Sequence, residues 1–391
     1  MDMLKDLLKK QEKRVITYRR DLHKIPEPGF EEYKTSRYIA RVLKKTGIPF
    51  REHIAETGIV GEIEGGSGGG TVLLRADMDG IPVPEERTGL AFSSGHKGMM
   101  HACGHDTHTA MLLCAGSVLF GLRKKLKGKV ILVFQPAEEG KGGGREVVES
   151  GAVDFSGIDA AISQHIWGPL PAGTFGYIQG PAFAMADEFV ITVTGKGGHG
   201  SMPQKTRDPI TAAAHIIHAV NDIISRRIAA SEKAVVSFGS VRGGSVYNVI
   251  PDTVVLKGTV RAYRNDVRNT IKRELKKTAL YTAKAAGVKA SCEYLSGYPV
   301  LCNNTGVVRT GIRAAEKVFG PRNIKECEPV MGAEDFSFFL EKAPGAMFFL
   351  GGAPGKKDPV HHSAEFDIDE SVLIKGVEFL CRVSMEYLYK P

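Results

Sequence analysis

Three short apolar runs limit what this chain can fold into more than any other feature. TVLLRADM (71–78), KVILVFQPAEEG (129–140) and IDAAISQHIW (158–167) are apolar on successive residues and short. Segments of this kind read as strands of a sheet covered on both faces. GIVGEIEG (58–65) reads as a further strand, joined to the 71–78 run by a flexible GGSGGG turn. Helical patterns lie around these runs: residues 3–20 and 31–46 are amphipathic, and THTAMLLCAGSVLFGL (107–122) is apolar. The alternation predicts an α/β domain with a mainly parallel sheet flanked by helices.

The texture changes near residue 180. EFVITVTG (188–195) reads as a strand, and DPITAAAHIIHAVNDIISRRI (208–228) as a helix opening on Asp-Pro. Two more strands follow, AVVSFGSVRGG and TVVLKGTVRAY, then a helix over 265–287 closed by glycine and a last strand, VKASCEYLSGYP. The order βαββαβ is that of a ferredoxin-like sandwich. The expected organisation is a discontinuous catalytic domain, 1–180 and 297–391, with an inserted domain over 181–296.

Composition removes several classes of protein. A chain of 391 residues that is 42% apolar and 25% charged is neither disordered nor fibrous. No run approaches the ~20 apolar residues that span a bilayer, so no membrane partner is expected. MDMLKDLLKKQEKR lacks the apolar centre of a secretory signal, and a cytoplasmic location is expected. Lysine and arginine exceed the acids by 52 to 44, a net +8. The excess is spread over solvated helix faces such as RNTIKRELKK, without the aromatic motifs of an RNA-binding module, so no nucleic-acid partner is expected. Six cysteines with no CxxC spacing do not make a disulfide framework. Five read as reduced structural thiols, and Cys103 stands apart.

Cys103 and His105 lie two residues apart in MHACGHDTHTA. A thiolate and an imidazole so close suit a borderline divalent ion, though packing and capping roles fit the same pair, and His101 and His108 are neighbouring alternatives. Glu138 and Glu139 follow a buried strand, where ligands and catalytic groups collect in α/β sheets. Adjacent glutamates point in different directions, so one can hold a metal while the other moves protons. His165 also sits at a strand end, and alone it reads equally as a satisfied core histidine. His361 and His362 precede an acidic, apolar stretch. One Cys, several His and two Glu at the ends of different elements describe a two-metal hydrolytic site.

The segments RRDLHKIPEPGFEE, LLRADMDGIPVPE, MHACGHDTHTAMLL, VFQPAEEGKGGG, SQHIWG, GKGGHGSMP, NVIPD, GAEDFSFF and HHSAEFDIDE resemble, in order and spacing, the aminoacylase/carboxypeptidase superfamily of two-metal peptidases. The nearest branch is that of hippurate hydrolases, indole-acetyl-amino-acid hydrolases and N-acetyl-diaminopimelate deacetylases. The resemblance spans nearly the whole chain, and CGHD, PAEEG and GxxHGSxP are specific in combination. It implies two divalent ions per subunit (Zn, Mn, Co or Ni), held by Cys103, His105, Glu139, His165 and His362, with Cys103 bridging. Glu138 is then the general base, His199 the oxyanion donor, and Asn248 a substrate contact. Arg261 is a second candidate for the substrate carboxylate, or else a surface charge at a strand edge. Ala364 stands where the branch commonly has proline after the histidine and serine or asparagine; matching on Ser363 favours His362 over His361. Asp77-Met78-Asp79 replaces the superfamily's frequent His-x-Asp. That leaves Asp79 either as support for a ligand or as a cap on a strand end.

The implied activity is metal-dependent hydrolysis of N-acyl-L-amino acids to a carboxylic acid and an amino acid. The alternatives are a metallo-carboxypeptidase or dipeptidase acting on short peptides, and a non-catalytic binding protein. The inserted domain commonly joins two subunits in this superfamily, so a homodimer or higher homo-oligomer is expected, with His199 acting in its own or its partner's site.

Overall fold

The computed structural model describes residues 2–87, 89–355 and 360–389, and the chain divides into two units: residues 1–182, 302–328 and 335–391 form one, residues 183–301 and 329–334 the other.

The first unit is built on an eight-stranded sheet. Its strands run, from edge to edge, Phe50–Ile54, Gly58–Glu64, Lys127–Gln135, Gly66–Asp77, Ala160–Pro171, Gly345–Ala353, Phe175–Tyr177 and Ile324–Glu326. The four central strands are parallel. The pairings that flank them, Gly58–Glu64 on Lys127–Gln135 and Phe175–Tyr177 on Gly345–Ala353, are antiparallel. The parallel sheet expected from the apolar runs is therefore its centre, with mixed margins. Burial accounts for the composition: every residue of Gly345–Ala353 is buried, as a strand covered on both faces requires.

The helix read over 107–122 begins at His105 and ends at Leu122, and it is buried around most of its circumference. It packs between the sheet and the helices Glu12–His23 and Leu373–Leu388, which is why its pattern is apolar rather than amphipathic. Three expectations need correction. The 3–20 helix is two helices, Asp2–Lys9 and Glu12–His23. The GGSGGG turn is the start of the Gly66–Asp77 strand, paired at Gly66 with Lys127 before the register shifts. The strand expected to reach residue 140 stops at Gln135, because Ala137 adopts the left-handed conformation, φ 55° and ψ 44°, and an extended chain cannot pass through it.

The second unit is a four-stranded antiparallel sheet in the order Ala234–Gly243, Thr253–Ala262, Met185–Thr194, Lys289–Tyr298. The helices Pro209–Arg227 and Asn265–Ala285 cross over between these strands, which makes the ferredoxin-like βαββαβ arrangement. Phe189, Ile191 and Val193 alternate toward a core that Ile216, Val220, Ile271 and Leu275 complete at helical spacing. Asp208 caps the first helix by accepting from Ile210 N, with Pro209 at its first position. Among the described residues, no helix is long and apolar enough to cross a membrane.

Candidate metal centre

Parallel strands send their carboxyl ends to one edge of the sheet, and the chemistry gathers there. Asp77 and Gln135 are register partners at the ends of their strands, and His165 pairs with Phe349. Asp79, Glu138 and Glu139 lie just beyond those ends. Cys103 precedes the helix that His105 opens, and the two are separated by Gly104 at φ +86°. A Cβ on residue 104 would lie 2.2 Å from Ile166 Cγ2. Only glycine lets this helix start so close to the His165 strand.

Among the sets of donor atoms that lie within 4.8 Å of one another, three carry the named residues: Cys103, His105 and His165; Cys103, Glu139 and His362; His105, Glu138 and Glu139; Asp77, His105 and His108 form another. The first three overlap in Cys103, His105 and Glu139 and bring together five residues named as ligands and the one named as base. His101 joins no such set among the described residues.

The ring nitrogens separate ligand-like histidines from structural ones. His105 donates through Nδ1 to the Asp79 carboxylate, 3.0 Å away, and its Nε2 is buried without a hydrogen-bond partner. His165 donates through Nδ1 to the Ile166 carbonyl at 2.6 Å, leaving Nε2 3.6 Å from Cys103 Sγ. Each ring therefore spends Nδ1 on the protein and keeps Nε2 as its candidate donor atom for an ion, with its orientation fixed from behind. His108 is different: it accepts from Ile166 N at Nε2 (2.8 Å) and donates from Nδ1 to Asp77 Oδ1 (2.6 Å), so neither nitrogen is left for an ion. His361 likewise accepts from Gly168 N at Nε2, which places its proton on Nδ1, 3.8 Å from Cys103 Sγ. His362 instead sets Nε2 2.9 Å from Glu139 Oε1.

Asp79 is more than a strand cap. One oxygen orients His105, and the other accepts from Glu139 N at 3.0 Å. The electrostatics follow from this packing. Burial pushes the Cys103 thiol up, against the pull of His105 and His362. The bonds His362 makes with Cys103 and Glu139 hold its imidazole up at about 10. Burial drives His361 down to about 3. Burial opposes a charge on His105 too, but Asp77 and Asp79 outweigh it and hold the ring well above its usual range. His105 and His362 retain protons against burial, while burial drives His165 well below its usual range; a divalent cation would replace protons at the first two. The donor set (thiolate, imidazoles and carboxylates, with one imidazole nitrogen orphaned) fits such ions.

The family model described as Peptidase family M20/M25/M40 matches residues 73–386. The chain belongs to this family. Among its M20 relatives, an N-acetyl-L-cysteine deacetylase of Bacillus subtilis is 42% identical over 94% of this chain and 87% of that protein. A thermostable carboxypeptidase of Saccharolobus solfataricus is 39% identical over 96% of both. A solved Bacillus subtilis structure, described as a dinuclear metal-binding peptidase of the M20 family, superposes with a TM-score of 0.83 at 32% identity, covering 97% of this chain and 99% of that one.

The M20 second unit holds the remaining named residues. His199 and Val249 are register partners in a two-stranded ladder, and Gly200 N donates to the Asn248 carbonyl at 2.8 Å. His199 and Asn248 are therefore neighbours, both exposed. Arg261 is not with them. It lies at the far end of the Thr253–Ala262 strand, about 25 Å along it at ~3.3 Å per residue, and its guanidinium is bound to Thr259 Oγ1 and the Val260 carbonyl. Both the strand-charge and the substrate readings stay open for it.

Two buried networks escaped the sequence reading. Arg75 donates to Asp77, Gln135 and Asp335, and Asp335 also accepts from Gly144 N just past the glutamate loop. Its signal was Arg75 itself: an arginine within a covered strand must have buried acceptors. In the other, Asp106 accepts from Arg19 at 2.9 Å and from His23 at 2.7 Å. All three are buried, and Asp106 adjoins His105.

Proposed function

We propose that this cluster holds two divalent cations and hydrolyses the amide bond of N-acyl amino acids. The observation that carries the reading is the pair of Nε2 atoms on His105 and His165, each on a ring held by the protein through Nδ1, gathered with Cys103, while Glu139 and His362 lie beside the same sulfur. Cys103, His105, Glu139, His165 and His362 would hold the ions, with Cys103 belonging to two of the donor sets. Zinc, manganese, cobalt and nickel all suit the donors. The chemistry supplied at such a site would be an acidified water and a polarised scissile carbonyl.

The chain's own residues do the rest. Glu138 is buried next to the ligand set; it takes the proton of the attacking water and returns it to the leaving nitrogen. His199 donates to the oxyanion, a contribution typically worth ~10²–10³ in rate, and Asn248 contacts the substrate. The products are a carboxylic acid and a free amino acid. The deacetylase relative and the motifs of the acyl-amino-acid branch favour an acyl group over a peptide. Carboxypeptidase action is the second reading, favoured by the 39% identical relative. A reduced, cytoplasmic setting suits a site that fails once Cys103 is oxidised.

The deciding experiment measures metal content and turnover of Glu138→Gln on N-acetyl amino acids, hippurate and dipeptides. Metals retained with turnover abolished supports the assignment, and near wild-type activity refutes it. A homo-oligomer with shared sites is tested by mixing inactive His199→Ala and Glu138→Gln subunits. Recovered activity places His199 in the partner's site; none, despite proven exchange, makes each site self-contained.

A further inference from the structure

The motif IPEPGFEE (25–32) has no role in the chemistry above, yet it packs on the loop that presents the two glutamates. Glu32 is fully buried. Its Oε1 accepts from the main-chain N of Ala137 at 2.8 Å, and its Oε2 accepts from Thr57 Oγ1 at 2.6 Å. Ala137 immediately precedes Glu138 and holds a left-handed conformation, φ 55° and ψ 44°. A residue with a side chain stays in that region when its surroundings hold it there. The contact between the loops is close: a Cβ on Gly29 would lie 2.8 Å from Ala137 Cα, and Lys141 Nζ donates to the Gly29 carbonyl at 2.7 Å.

We propose that Glu32 is a positioning residue for the hydrolysis: its carboxylate fixes the Ala137 amide in the left-handed turn that aims Glu138 and Glu139 into the ligand cluster. The proposal rests on the role given to Glu138. Charge is not what the site asks of Glu32: burial, with the nearby charge of Asp79, pushes its carboxyl up to about 7 against the pull of its hydrogen bonds. The site needs an acceptor at that point. Glutamine supplies one, with its NH2 left for Thr57 Oγ1, whereas methionine fills the same space and supplies none. Glycine reaches the left-handed region unaided, so Ala137→Gly makes the acceptor dispensable.

The test compares kcat, KM, metal content and melting temperature for Glu32→Gln, Glu32→Met, Ala137→Gly and Glu32→Met/Ala137→Gly. Glu32→Gln and Ala137→Gly are expected within about threefold of wild-type kcat. Glu32→Met is expected to lose about 10- to 100-fold in kcat with KM little changed, the scale of a ~1 Å misplacement of a catalytic group. The double variant is expected to return to within about threefold of Ala137→Gly. Wild-type kcat in Glu32→Met overturns the proposal. So does a double variant as poor as Glu32→Met, and so does a pair that both fail to fold, because a packing role has no reason to be rescued by glycine at 137. Glycine rescue combined with an active Glu138→Gln would leave the coupling between the loops standing and remove Glu138 as the group it aims.

Discussion

Asp79 offers a single substitution that reaches both halves of the ligand cluster. Its two oxygens are divided between His105 Nδ1 and Glu139 N, each at 3.0 Å, and the residue is buried. Asp79→Asn has one carbonyl oxygen to satisfy two donors, and its NH2 must face the other N–H. Losing the partner behind a ligand typically costs 10- to 100-fold in metal affinity, about 1.4–2.7 kcal/mol. Because one contact orients a histidine and the other the glutamate loop, both metal equivalents should weaken, and kcat should fall even at saturating metal. Competition with a chromophoric chelator measures the two affinities, and turnover in excess metal measures the rest. An Asp79→Asn enzyme that binds both equivalents at wild-type affinity would refute the argument and return Asp79 to a strand cap.

Three further outcomes follow from the same geometry. Gly104→Ala combines a left-handed alanine, ~1–2 kcal/mol, with overpacking on Ile166 of ~1–3 kcal/mol. Denaturant titration should show that loss, and Ile166→Ala in the same chain should recover part of it; a Gly104→Ala protein of wild-type stability would contradict the close approach. Cys103→Ala should bind fewer than two metal equivalents by elemental analysis, and a fully loaded variant would exclude the thiol as a ligand. Glu32 has its carboxyl raised from 4.5 to about 7 by burial. A raised acid stabilises the fold fully below its unfolded value, and that contribution is lost as pH rises through the folded one. Wild-type stability should therefore fall between about pH 4.5 and 7, by up to roughly 3 kcal/mol from 2.5 units at ~1.36 each. Glu32→Gln should lack that slope in urea titrations across the interval, and parallel curves for the two proteins would count against the assignment.

Much of the architecture was legible because its signals are local. The apolar runs marked the central strands, the Asp208-Pro209 start marked a helix, and strand–helix order marked the second unit. What escaped depends on partners distant in sequence. Whether residues 66–70 turn or extend is decided by Lys127 and its neighbours across the sheet, which no local pattern states. Motif narrowed the candidate histidines to a few, yet which nitrogen each ring spends on the protein is decided only once Ile166 N reaches His108 and Gly168 N reaches His361. For Arg261 the two readings, substrate contact and strand-edge charge, could not be separated, because a basic residue on a strand carries no sign of which end faces the substrate. Glu32 was hidden among other acids; burial, not its identity, sets it apart.

The Asp106 contacts have a practical consequence for anyone trimming or tagging this protein. Its counter-charges come from Arg19 and His23, on a helix that a deletion series would treat as a dispensable leader. Removing that helix would strand a carboxylate in the interior one position away from His105. Shortened versions should therefore fail in metal loading before they fail in solubility, whereas an extension ahead of Asp2 leaves the latch intact.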